Sequence, residues 1–248
     1  MLAGGAGALA VLGVGGAAAA TGALPVPHRL RAAFADLGPD GVIPSAPVGP
    51  VRLEHVRSAA RGRTVGLWTA VPAGHGDGAG LPVCLILHGG TATTADFTTF
   101  GFAQFLTDAV RRSGTSFVFA GADGGLSRWE GDGAGDDPMA MLTQEMPGWC
   151  RDRGFDSSRL AAYGWSMGGY GVLRLAERNP GLLRAVAALS PALGSDDSDA
   201  AVRDENKLTG TPVGIWCGES DALFPAVRRL ARTVRSVRPK PQDRKSVV

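Results

Sequence analysis

Apolar residues fall along this chain in short dense blocks separated by Gly, Pro and charged residues, and a regular alternation of such blocks begins at Val51. "TVGLWTAVP" has strand character, and a Gly-rich turn over 74–80 leads to "PVCLILHGG", a run apolar on both faces as a strand buried in a parallel sheet would be. "ADFTTFGFAQFLTDAVRRSG" carries Phe97, Phe105, Leu106 and Val110 near helical spacing, with Gly114 as its stop. "SFVFAGADGG" is the next strand. "DPMAMLTQEMPGWCRDRG" predicts a helix that Pro147 kinks or divides. "RLAAYGWS" is a strand running into a turn, and "MGGYGVLRLAERNPG" is a helix ending at Asn179-Pro180-Gly181. Two more strands, in "AVAALSP" and "PVGIWCGESD", and a helix in "PAVRRLARTVRSV" complete the series. Strand and helix alternate throughout, which predicts an α/β domain with a mostly parallel sheet and helices on both faces.

The flanks read differently. Residues 1–24 are a continuous Ala/Gly/Val/Leu segment followed by small residues and Pro25, similar to the apolar core and cleavage region of an export signal, although no positive stretch precedes it. Ala and Gly contribute little to membrane insertion, so a stable membrane anchor is not expected. The expected location is secreted or in the cell envelope. Residues 25–50 are a Pro/Gly-rich lead-in, and 51–242 form the one domain that a 248-residue chain can support with a sizeable core. A net charge of +2 gives no reason to expect a nucleic-acid partner. Arg228, Arg229, Arg232, Arg235 and Arg238 have the spacing of a solvated helix face. Cys84 and Cys217 sit in strand-like runs, and with Cys150 they make an odd set without metal spacing, so free thiols are expected. Asp132, Asp136 and Asp137 do not match a calcium loop, and no metal or cofactor is expected.

Chemistry concentrates in "YGWSMGGYGV". Ser166 stands in the frame Gly164-Trp165-Ser166-Met167-Gly168, between a strand and a helix. A nucleophilic serine has to be exposed yet rigid, and a sharp strand-to-helix turn achieves this only with small residues two positions either side. The helix N-terminus adds partial positive charge, and the Met167 N–H is a candidate oxyanion donor. The strand end "LHGG" can supply a second donor from the N–H of Gly90 or Thr91, with His88 expected to brace that loop. Asp221, just past the strand in "CGESDALFP", is placed to orient an imidazole; Glu219 is at a less suitable offset, and Asp196, Asp197 and Asp199 belong to a polar loop.

On the "LHGG" loop, "ADGG", "GWSMGG" and "GESDALFP", the chain resembles the α/β-hydrolase superfamily over residues 51 to 240, in its secreted esterase branch, which includes feruloyl-esterase-like enzymes and mycolyltransferases. The resemblance implies an α/β-hydrolase fold and a serine carboxylesterase acting on a small-molecule ester through an acyl-enzyme. Ser166 would be its nucleophile, Asp221 its triad acid, and Met167 and Gly90 its oxyanion donors. An acyltransferase using the same nucleophile and a catalytically dead binding or structural protein on the same fold are the alternatives. The departure is the base. The family pattern places a histidine after the acid, whereas His28, His55, His75 and His88 all precede Ser166. The expectation is therefore a domain truncated before its last strand, histidine and helix, with 243–248 a non-native tail and the chain a weak catalyst. The short segment between the two last strands predicts no large lid, and the loop from Asp123 to Pro138 is expected to wall the site with Trp129.

Overall fold

In the computed structural model, which describes residues 41–193, 202 and 204–236, the apolar blocks become strands. They are β1 (Val51–Ser58), β2 (Arg63–Ala70), β3 (Pro82–Leu87), β4 (Val118–Ala122), β5 (Asp156–Trp165), β6 (Leu183–Leu189) and β7 (Val213–Trp216). All seven join one sheet in the order β1-β2-β4-β3-β5-β6-β7. The first two strands form a hairpin, with Ser58 opposite Arg63, because so short a connection cannot cross over to a parallel strand. β2 also pairs antiparallel with β4, while every pair from β4 to β7 is parallel. The mostly parallel α/β sheet expected from the sequence is thus present. Of the flanks, residues 41–50 have no regular structure. The export-signal-like segment 1–24, the rest of the lead-in, Asp196, Asp197, Asp199, Arg238 and the tail 243–248 lie outside the described residues.

Alternation along β3 divides the core into two. Val83, Leu85 and Leu87 join Leu160, Ala162, Val186 and Ala188 on one face, where they meet Val172, Leu173 and Leu175. Those three come from helix α5 (Met167–Arg178). Ile86 points the other way, into a cluster with Trp68, Phe97, Phe102, Leu106 and Val110. Both faces of the sheet are covered, as a run apolar at every position requires.

One helical prediction is corrected and a second holds. The segment expected to be one helix ending at Gly114 is two, α1 (Asp96–Thr99) and α2 (Phe102–Ser113). Gly101 separates them at φ 75°, a left-handed conformation in which any added Cβ would also strike the Ile43 side chain. The restart rotates the buried stripe onto Phe102, Leu106 and Val110 and leaves Phe105 exposed. Gly114 does end α2, and its N–H returns to the Val110 carbonyl. Pro147 divides its segment as expected. A short helix α3 (Pro138–Ala140), capped by the Asp137 carboxylate, passes into a π turn (Met141–Glu145) and then α4 (Met146–Arg151). Pro147 thereby sits in the first turn of α4, where no N–H is needed.

After a 3₁₀ turn (Glu205–Leu208) and β7, helix α6 (Phe224–Ser236) buries Val227, Leu230 and Val234 and exposes Arg228, Arg229 and Arg232. Beside it the sheet is less well covered. A cavity of about 520 Å³ lies against Cys84, Ala161, Ala185, Ala187 and Gly214, bordered by Trp216 and Ala231. All three cysteines are free.

Candidate active site

Ser166 lies between the last residue of β5 and the first of α5, with φ 54° and ψ −119°. A side chain in that region of backbone space is strained, and strain of this kind persists only where the surroundings dictate it. Here they do. The Ser166 N–H donates to the Leu189 carbonyl at 2.9 Å, and the Ser166 carbonyl accepts from Tyr170 N–H at 3.1 Å and Ala192 N–H at 2.9 Å. A Cβ on Gly164 would collide with the Gly168 carbonyl, and one on Gly168 with the carbonyls of Leu87 and His88. The glycines two residues either side of the serine are therefore required by contact, as the sequence pattern implied.

The loop after β3 lies alongside. A Cβ on Gly89 would fall 3.5 Å from the Ser166 Cβ, and one on Gly90 would fall 3.8 Å from the Met167 Sδ. Gly90 and Met167, the two expected oxyanion donors, are thus brought together beside Ser166. Met167 opens α5, where a first-turn N–H has no acceptor within its own helix. The Gly90 N–H has no hydrogen-bond acceptor among the described residues.

Loops after neighbouring strands are stitched in sequence. Ser166 N–H bonds Leu189 O, and Ser190 N–H bonds Trp216 O at 2.7 Å. Asp221 follows β7 in a tight turn, its N–H donated to Gly218 O at 3.0 Å and its Oδ1 accepting Leu223 N–H at 2.9 Å. Asp221 is half-buried, whereas Glu219 is exposed. The Cys217 thiol lies between Ser190 and Asp221, and burial first, then the neighbouring carboxylate, raises its pKa.

The histidines are placed elsewhere. His55 is on edge strand β1, separated from β5 by three strands, or about 19 Å at the usual inter-strand spacing. His75 lies in the turn before β3, at the opposite end of the sheet from Ser166, and pairs with Ser116 Oγ at 2.8 Å. His88 is 1% exposed and uses both ring nitrogens on backbone, Nδ1 with Gly89 O and Nε2 with Gly124 N–H, each at 2.8 Å. Burial holds its pKa below the ordinary imidazole value. His28 is outside the described residues. No described histidine hydrogen-bonds the Ser166 hydroxyl.

Trp129 does not wall the site. It is fully buried, stacked under Gly124 and Gly171, and its indole N–H donates to the His88 carbonyl at 3.3 Å. An apolar ring with that many backbone neighbours gains more from the core than from an open mouth. Asp136 pairs with Arg61 and Arg63, Asp132 accepts from the N–H groups of Ala134 and Asp136, and Asp137 caps α3. Asp123, which the sequence offered only as part of "ADGG", proves to be a connector: Oδ1 accepts Thr94 N–H at 2.8 Å and Oδ2 accepts Gly66 N–H at 2.9 Å. No local signal marks it, because its partners are 29 and 57 residues away.

A strained serine on a strand-to-helix turn, at the C-terminal end of the central strands of such a sheet, defines the α/β-hydrolase fold. The chain belongs to the family described as "Putative esterase", whose model matches residues 58–246, and it is a carboxylesterase-like hydrolase. Solved structures share the fold at low identity. A ferulic acid esterase is 17% identical, with a TM-score of 0.65 over 77% of this chain and 87% of that one. A fluorophosphonate-binding serine hydrolase of Staphylococcus aureus is 14% identical, TM-score 0.62, over 77% and 88%. An S-formylglutathione hydrolase of Agrobacterium tumefaciens is 16% identical, TM-score 0.51, over 75% and 94%. No curated protein matches the chain by sequence.

Proposed function

We propose that the protein cleaves carboxylic esters through an acyl-enzyme on Ser166. The observation that carries this reading is the backbone of Ser166, held at φ 54° by three main-chain hydrogen bonds and by glycines that admit no side chain. Nothing in the packing of the fold requires a serine there; a displaced, rigid hydroxyl is what acyl transfer requires. Ser166 Oγ attacks the ester carbonyl as its proton passes to a base, the carbonyl oxygen becomes an oxyanion facing the N–H groups of Met167 and Gly90, and the acyl C–O bond then breaks as that proton is delivered to the departing alcohol. Water then releases the acid. Asp221 is the candidate acid of the relay, since the turn after β7 lies two strands from β5, roughly 10 Å, a span that an imidazole between them would fill. An exported location fits the apolar first residues, and among the described residues no helix is long and apolar enough to cross a membrane.

Incubation with a fluorophosphonate should modify Ser166, as read by peptide mass spectrometry, and Ser166→Ala should abolish both labelling and hydrolysis of a small aryl ester. Hydrolysis that persists undiminished in Ser166→Ala overturns the reading.

A further inference from the structure

We infer that His88 is a positioning residue: as a neutral imidazole with its proton on Nδ1, it sets the direction of the Gly90 N–H toward the oxyanion. This rests on the acyl-enzyme reading of Ser166. A backbone N–H can only donate, so the bond from Gly124 N–H makes Nε2 an acceptor. The proton of the neutral ring then resides on Nδ1, which donates to Gly89 O at 2.8 Å. Gly89 O also accepts the Ala92 N–H at 3.2 Å, so that carbonyl is held twice. The described peptides include no cis bond, and across a planar trans peptide the C=O of Gly89 and the N–H of Gly90 point in opposite directions. Fixing one fixes the other. With Gly89 O drawn toward the buried imidazole, the Gly90 N–H is turned away from it, and the peptide lies against Ser166 and Met167.

The rest of the loop is anchored so that this one peptide has no other choice. Trp129 Nε1–H holds the His88 carbonyl, and Asp123 Oδ1 holds Thr94 N–H at the far end. The charged groups around the imidazole are Asp123, Arg61 and Asp96. Burial keeps the ring neutral, so its tautomer is decided by Gly124 rather than by pH near neutrality.

Two isosteric substitutions separate the ring's two bonds. The amide N–H of Asn can replace Nδ1–H, and the amide oxygen of Gln can replace Nε2. On a small aryl ester, His88→Gln should lower kcat about 100-fold, the scale of losing one oxyanion donor, with KM within about threefold. His88→Asn should lower it less than about tenfold. A purely structural role predicts the reverse or no ranking, because His88→Asn leaves the buried Gly124 N–H without an acceptor and should melt no higher than His88→Gln. Equal kcat losses, or losses that follow melting temperature, overturn the inference. An activity-independent measurement keeps it decidable if Ser166→Ala shows the serine reading to be wrong. In ¹H–¹⁵N spectra the Gly90 amide of His88→Asn should overlay the parent and that of His88→Gln should move; the opposite pattern overturns the inference.

Discussion

Ser166 shows how one dihedral angle can depend on atoms from four segments. Its left-handed φ is compatible with the fold only because Gly164 and Gly168 let the carbonyls of Gly168 and Leu87 occupy the space a Cβ would need. Gly168→Ala should therefore cost at least about 3 kcal/mol, the upper range for overpacking, since the obstruction is backbone and cannot rotate away; urea unfolding measures it. The glycine frame was legible in the sequence because local sterics dictate it. The tautomer of His88 was not, since it is chosen by Gly124, 36 residues away. Trp129 was misread for a similar reason: an aromatic in a Gly/Asp-rich loop looks solvent-facing until the fold brings Gly124 and Gly171 beneath it. With no described imidazole on Ser166, turnover on an aryl ester should be low and should rise with added imidazole, which can accept the hydroxyl proton. A high rate indifferent to imidazole would mean that a histidine of the chain serves as base. Thiols should stay silent in the same assay buffer. Burial pushes Cys84 and Cys150 up to about 12, so neither should react with an aromatic disulfide near neutral pH while the protein is folded.

At the scale of elements, periodicity located the strands from β2 onward because each buries a run too apolar for a loop. It misjudged the helix over 95–114, where Phe97, Phe105, Leu106 and Val110 suggested one stripe and a single left-handed glycine made two helices. Pro147 was read correctly in kind, but the π turn before it answers a contact that sequence does not display. Glu145, its last residue, reaches 85 to 87 residues back to the β1–β2 turn. Its carboxylate accepts Ser58 Oγ–H at 2.5 Å, Ala59 N–H at 2.7 Å and Ala60 N–H at 3.0 Å. Glu145→Ala should lower stability by about 2 kcal/mol through the donors it strands, visible as a lower urea midpoint with an unchanged m-value.

For the whole molecule acid is the destabilising direction, and His88 and Asp136 show why. His88 stays neutral in the fold below the ordinary imidazole pKa of 6.5, whereas the unfolded chain takes up a proton there, so stability falls as pH drops below about 6.5. Asp136, hydrogen-bonded to Arg61, has a folded pKa below its ordinary 3.8; its contribution is complete above 3.8 and is lost as pH falls from there through the lower folded value. Urea midpoints at pH 7.5, 5.5 and 3.5 should decline in that order, and His88→Gln should flatten the first interval. The cavity beside α6 predicts the opposite kind of change: Ala187→Val adds apolar volume where about 520 Å³ is open, so it should be neutral or stabilising rather than overpacked.

Strand order also sets the sequence in which the protein comes apart. Among the described residues β1 and β7 are the edges, while β3 and β5, which carry the Gly89–Gly90 loop and Ser166, are flanked by partners on both sides. Amides of edge strands exchange through shallow openings and those of central strands only through deep ones. Under native-state hydrogen exchange in rising urea, β7 with its Asp221 turn should release its amides before β3 and β5 do. A partly opened molecule would then still hold its serine turn cocked while Asp221, the proposed acid, has already swung into water.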